Sequence, residues 1–572
     1  MASTARISHR VTFRTLAGTV ALAGVVALAT SATSPAHADN IDVLVAPSGV
    51  TATIVATTAT ISWNPAAEPA GAWITVTAAD GQRGTIGQRA CDGGCTSLRW
   101  DGLRGNQTYT FTVSAALPDR SSVGDTSAPV VARDALCGTA ALCVSADTTQ
   151  PIAAERHPAS GFLHAINGAN ASTVAALAPT SWRANSSEVS AAASTGATVQ
   201  DILSDEWGMS GPRDANGNLR NPWDDWDAYR AWVAQTVTTA RQAGRAPAYW
   251  DIQNEPDYSG SYVPTSTATT DRVLQQYKVA YDAIRTADPL AKIVGPSTMG
   301  SWSDPSAVID LRRFLLFAAD NGMHLDAISW HENGNGANAD DRPEAVADHV
   351  ANVRQLIAQL PALGSPQIFV NEYLGGWVQS WPGWIASYAA TVESAKVDAA
   401  DHACWNGDCF AAPGTLDGVL SSVAGITTKT PAYWTYQRYA TQTGQRLTAG
   451  STDQRLNMVA TVDASGVVRA LVGRDDVCGL PSGATCSAGG AAPAATVTVK
   501  VRVPSANGSY DVSRELLRTG GLSSSPSNVG TVRVAAVGGV LSVTVPSVPD
   551  GAAAFLAITP APTNGGLLGG LL

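Results

Sequence analysis

The sequence predicts a multidomain chain, a (β/α)8 barrel flanked by an N-terminal and a C-terminal β-sandwich. Three observations carry this. At 572 residues, 45% hydrophobic and 15% charged, the chain is too long for a single core. Its middle alternates short apolar runs with stretches of helical periodicity, the pattern of a parallel βα array. Its two flanks show period-two alternation broken by Gly, Pro and Asp.

Residues 1–38 read as a cleavable export signal. Arg6, Arg10 and Arg14 precede the apolar run LAGTVALAGVVALA, and Ala36-His37-Ala38 fits a cleavage site before Asp39. This predicts a secreted, extracellular protein. No later run approaches the roughly 18 apolar residues of a membrane span, so no membrane insertion is expected. The Gly/Leu-rich end, 561–572, reads as a tail. Eight cysteines fall into near neighbours, and proximity pairs them as Cys91–Cys95, Cys137–Cys143, Cys404–Cys409 and Cys478–Cys486. A net charge of −11 argues against nucleic acid as the partner.

Residues 41–135 are the first sandwich. VTATIVATTATISWNP, WITVTA, TSLRWDGL and YTFTVSAAL are short strand-like runs between turns. Trp63 on an early strand, with Tyr109 on a late one after Leu103-Arg104-Gly105-Asn106, resembles a fibronectin type III domain. The resemblance implies an accessory module without chemistry of its own.

Residues 145–445 are the barrel. Its expected strands are GFLHAIN (161–167), TSWRAN (180–185), TVQDILSDEW (198–207), APAYWDIQNE (246–255), AKIVGPST (291–298), LDAISWHEN (325–333), QIFVNEYLG (367–375) and DHACWN (401–406). Between them, Trp226, Tyr229, Trp232, Val233 and Val237 form one helical stripe, and Val273, Tyr277, Ala280 and Ile284 another. A doubly wound open sheet is disfavoured because no Gly-rich phosphate loop follows the first strand. Residues 446–560 return to alternation, as in TVTVKVRVP and LSVTVPS, and form the second sandwich. PAYWTYQRYA (431–440) fits the last barrel helix.

In such a barrel the residues ending the strands face the active site. The fourth strand runs into Asn254-Glu255-Pro256, where the proline bars a helix through Glu255. The seventh runs into Asn371-Glu372-Tyr373. A carboxylate closing an apolar run is costly unless it is paired or used, and here there are two, three βα units apart. Two carboxylates across one barrel mouth are what glycoside hydrolysis needs: one protonates the leaving oxygen, and the other attacks the anomeric carbon or activates water.

At these residues the chain resembles the retaining glycosidases of clan A. YWDIQNEPD, ISWHENG and IFVNEY resemble glycoside hydrolase family 39 in particular. The resemblance implies a secreted retaining O-glycoside hydrolase acting on a poly- or oligosaccharide. It makes Glu255 the general acid/base and Glu372 the nucleophile. It implies that Asn254 holds the sugar hydroxyl beside the anomeric carbon and that His331 contacts a carboxylate. Arg183 would keep Glu372 ionised, and Trp405 would floor a sugar subsite. Gln253 departs from the family, where many members carry Trp.

Among the 16 tryptophans, Trp377, Trp381 and Trp384 in GGWVQSWPGW follow Glu372 and read as a subsite wall. Glu206 and Asp205 are expected to end the third strand. Strand alternation points Glu332 away from the pocket. DANGNLRNPWDD (214–225) is not a calcium loop, since Leu219 stands where glycine is needed. No metal or other cofactor is expected. Two alternatives use the same scaffold: a non-catalytic carbohydrate-binding protein, and a transglycosylase. The absence of a clear Arg or Lys cluster at the mouth favours a neutral sugar.

Overall fold

Eight parallel strands close into a barrel in a computed structural model of the chain. The structure describes residues 44–65, 72–117, 120–168, 170–257, 267–300, 307–333, 342–374, 378–403, 416, 418–423, 426–475, 493–519 and 525–562. The expected signal segment, Trp377, Trp405, Cys404, Cys409, Cys478, Cys486 and residues 563–572 of the tail lie outside them.

The barrel strands are Gly161–Leu163, Ser181–Ala184, Thr198–Ile202, Tyr249–Asp251, Lys292–Thr298, Ala327–Glu332, Gln367–Tyr373 and Ala399–His402. All eight fall at or beside the expected positions. The third ends earlier than its expected reach of 207, because Leu203–Ser210 turns helical. Asp205 and Glu206 therefore lie in a first helical turn, where the amide dipoles favour acids. The fourth strand leaves the ladder at Asp251, so Glu255 sits beyond it rather than at its last rung.

The two expected stripes are the buried faces of helices Trp226–Gln242 and Thr270–Ala287. Asp225 caps the first and Thr269 the second, each accepting a first-turn N–H. Tyr229, Val233 and Val237 of one, with Val273, Tyr277, Ala280 and Ile284 of the other, enter the core between helices and barrel. Helix Pro431–Ala440 closes the ring, as its sequence suggests.

The N-terminal domain has two antiparallel sheets. Ser48–Val55, Thr58–Asn64 and Ser97–Trp100 make one; Gly84–Asp92, Trp73–Asp80, Thr108–Leu117 and Arg120–Thr126, with Val130–Val131, make the other. Trp63, Tyr109 and Trp100 share their core. Disulfides join Cys91 to Cys95 and Cys137 to Cys143. Arg89 ties this domain to the barrel, donating to Asp348 at 2.7 Å.

The C-terminal region builds a nine-stranded sheet. One of its strands, Cys143–Ala154, comes from before the barrel, antiparallel to Gln445–Ser451 and parallel to Ala495–Arg502. The boundary expected near 145 thus falls inside a strand of the terminal sheet. Sequence periodicity identifies a strand but not its partners, and these lie about 300 residues on. The sheet packs closely on helix Pro382–Ser394. Gly383 N donates to Gly551 O at 2.7 Å, and a Cβ on Gly383 would lie 2.1 Å from Arg474 O.

Candidate active site

Alternate residues of a barrel strand point inward. Tyr249, Val294, Ala327, Phe369 and Ala399 form a small apolar cluster. Two residues further along their strands, Asp251, Ser329, Asn371 and Asp401 are fully buried and polar. Ser297 joins this layer where the fifth strand slips register between Pro296 and Thr298. The barrel interior thus changes from apolar to polar as it approaches its C-terminal end.

Arg183, fully buried on the second strand, organises the layer. Its Nε donates to Asp251 Oδ2 at 2.7 Å, Nη1 to Glu372 Oε1 at 2.6 Å and Nη2 to Asn254 Oδ1 at 2.9 Å. Burial alone would pull the guanidinium down, but Asp251 and Glu372 outweigh it and hold the cation. Asp251 is fixed in turn by Ser297 Oγ at 2.7 Å and Asn371 Nδ2 at 3.0 Å. Burial still raises its carboxyl above the usual range.

Glu255 and Glu372 face one another above this layer. A ring nitrogen of His331, one oxygen of Glu255 and one of Glu372 all lie within 4.8 Å of one another. His331 Nδ1 is 3.1 Å from Glu255 Oε1 and 3.6 Å from Glu372 Oε2. Burial pushes the His331 imidazole down to about 4, so the ring is neutral at pH 7. His331 Nδ1 thus faces both carboxyl groups, and among the described residues the buried Nε2 has no hydrogen-bond partner. Glu372 Oε2 also accepts from Asn333 Nδ2 at 3.3 Å.

Glu255 is the more exposed acid and adopts a left-handed backbone, φ 46°. Its amide N donates to Ser297 O at 2.9 Å, which holds the turn beside the fifth strand. Burial raises its pKa, and the nearby Arg183 only partly offsets this. One acid is therefore biased towards protonation. The other is held by a guanidinium.

Two carboxylates and an imidazole could in principle ligate a divalent cation. Arg183, donating to Glu372 at 2.6 Å, already supplies the positive charge there and would repel such an ion.

The structure brings Glu255, Glu372, His331, Asn254 and Arg183 together. Gln253 turns away, donating to Val273 O at 3.1 Å. Glu332 also points outward, accepting from Trp330 Nε1 and from His349 Nδ1. Trp384 is core, and Trp381 packs against it and over Gly551, so neither makes the expected subsite wall. Both follow the seventh strand, yet the helix starting at Pro382 carries them under the terminal sheet.

No family model matches the chain, and no curated protein matches it. Solved structures do. N2152 from Neocallimastix frontalis matches with TM-score 0.57 and 21% identity, covering 73% of this chain and 100% of its own. A monomeric beta-xylosidase from Caulobacter crescentus CB15 gives TM-score 0.52 and 16% identity, over 74% of this chain and 100% of its own. The GH39 enzyme from Xanthomonas axonopodis pv. citri gives 0.51 and 15%, over 74% and 98%. The fold is one that glycoside hydrolases use. At these identities the likeness is one of fold, and the chemistry rests on the residues above.

Sequence reasoning gave no role to Asp251, Ser297, Asn371 or Asn333. Asp251 carried a usable signal: a charge inside YWDIQ, two residues past an inward Tyr, needs a buried partner. Ser297 carried none, because its inward turn depends on a register slip.

Proposed function

We propose that this chain is a secreted retaining glycoside hydrolase acting on a neutral poly- or oligosaccharide. The observation that carries the reading is the pair of glutamates with oxygens within 4.8 Å of each other across the barrel mouth. Retaining glycosidases hold their carboxyl groups about 5–5.5 Å apart, whereas inverting ones leave about 6.5–9.5 Å for a water. The glucosidase and β-xylosidase among the structural neighbours support an O-glycosidic substrate.

In this reading Glu372 attacks the anomeric carbon while Glu255 protonates the departing oxygen. The C–O bond to the leaving group breaks and an ester to Glu372 forms. Glu255, now ionised, takes a proton from water, which attacks the same carbon and frees Glu372. The raised pKa of Glu255 suits its first task, and the Arg183 contact suits the nucleophile. Asn254, held by Arg183, stands beside Glu255 to meet the neighbouring sugar hydroxyl. His331 positions both carboxylates. Trp377 and Trp405 remain proposed sugar contacts.

The N-terminal domain reads as a fibronectin type III-like accessory module. Tyr109 Oη supports this, donating to Arg104 O at 3.2 Å and accepting from Arg104 N at 2.8 Å across a strand corner. Export is supported by the two disulfides and by the signal-like leader. Among the described residues no helix is long and apolar enough to cross a membrane.

The test is reducing-sugar release from a panel of polysaccharides and aryl glycosides, with Glu372→Gln as control. Release by wild type alone, with retention of anomeric configuration, supports the reading; equal release by the variant ends it.

A further inference from the structure

We infer that Asp251 is a positioning residue that divides the charge of Arg183 and so sets how firmly the guanidinium holds Glu372. Three observations carry this. Arg183 makes nearly equal charge-assisted bonds through two different nitrogens, Nε at 2.7 Å to Asp251 and Nη1 at 2.6 Å to Glu372. Both the guanidinium and the Asp251 carboxyl are wholly removed from solvent, so water does not screen the division. Asp251 is itself held by Ser297 and Asn371, and Ser297 by Ser329 at 2.9 Å, which anchors it to the fifth, sixth and seventh strands. An acid needed only to neutralise a buried arginine would not require this cradle, because Glu372 is already there.

The consequence is electrostatic. A nucleophilic carboxylate pinned by a full positive charge stays ionised but shares its electrons poorly. With Asp251 drawing on the same guanidinium through Nε, Glu372 feels only part of that charge. The other groups around the pair are Glu255 and His331 at the mouth. Asp205, Asp201, Asp401 and Tyr277 couple to Arg183 or Asp251 from neighbouring elements. Arg183 is the cation that Asp251 and Glu372 both meet, and it is the charge being divided. The inference rests on the glycosidase reading for its catalytic meaning, but the charge division is a property of the site itself.

The test is Asp251→Asn, which keeps the shape and the acceptor for Arg183 Nε. Its new amide can donate to Ser297 Oγ, which then donates to Ser329. Two readouts are taken in the folded variant, checked by its thermal transition. The first is an infrared titration following the carboxylate band that Glu372→Gln removes. In Asp251→Asn this band should persist to a pH about one unit lower than in wild type, as expected for a nearer effective cation. The second is the pH profile of kcat/KM, whose acidic limb should move the same way while kcat falls at least about tenfold. An unmoved band overturns the inference, whatever the activity. A moved band with no activity in wild type leaves the charge division standing and removes the glycosidase reading instead. If Asp251→Asn does not fold, Asn371→Ala, which removes one hydrogen bond to Asp251, one to Ser297 Oγ and no charge, takes its place. With that competing donor gone, Asp251 Oδ2, which also accepts from Arg183 Nε, draws more on the guanidinium, so the band should be lost at a higher pH than in wild type, and an unmoved band overturns the inference.

Discussion

His331 Nδ1 stands 3.1 Å from Glu255 Oε1, and its ring is neutral because it is buried. A neutral ring steadies the acid without adding the charge that would drive its proton off. The folded pKa of Glu255 is raised, so the protonated acid persists above the usual carboxylate range and is lost as pH rises through that value. The basic limb of kcat/KM should therefore lie above the ordinary glutamate range. Glu255→Gln should abolish that limb and slow substrates with poor leaving groups by about 10²–10⁴-fold. Activated aryl glycosides should form the covalent intermediate at a nearly unchanged rate, which burst kinetics would read. Equal losses on both substrate types would remove Glu255 from the acid's role.

Arg183 should not tolerate replacement by lysine. Its planar fork serves Asp251, Glu372 and Asn254 at once, and an ammonium cannot satisfy all three in this geometry. Arg183→Lys should lower kcat/KM by about a hundredfold. Arg183→Ala, leaving two buried acids without their cation, should cost about 3–5 kcal/mol in chemical denaturation. A wild-type midpoint for Arg183→Ala would refute the pairing.

Asp401 gives the fold a pH dependence of definite sign. Burial raises its carboxyl to about 8, with Gln200 donating to it at 2.7 Å. Between the unfolded value near 4 and about 8 the native state holds a proton that the unfolded state releases. Its stabilisation is thus complete at acid pH and lost as pH rises through the folded pKa. Thermal midpoints should fall from pH 6 to pH 9 in wild type and fall less in Asp401→Asn. Parallel curves for the two proteins would place the dependence elsewhere.

Gly383→Ala tests the seam between the barrel and the terminal sheet. The added methyl would lie 2.1 Å from Arg474 O and 2.7 Å from Ala552 O, both backbone atoms. Overpacking of this kind costs about 1–3 kcal/mol. Calorimetry should show a lower midpoint, with the pH profile of any activity unaltered.

Much of this was legible in the chain. Each barrel strand lies at or beside its expected place because period-two apolar runs and helical stripes are local signals. Glu255 and Glu372 were legible because a carboxylate after an apolar run has few bland explanations. Arg183 and His331 followed from the resemblance, and the structure places both against those acids. Trp381 and Trp384 misled: an aromatic in a loop sequence looks the same whether it meets solvent or another sheet. Here the terminal sheet covers it.

What the sequence determined by itself is the run of secondary structure and the types of residue at the strand ends, since neighbours along the chain set both. What only the tertiary structure decided are relations between distant residues. Strand Cys143–Ala154 completes a sheet built mainly after the barrel. Ser297 turns inward at a register slip and fixes Asp251. One guanidinium stands between two acids, Asp251 and Glu372. Closure of the barrel brings these charges within hydrogen-bond reach, and low dielectric makes their division matter.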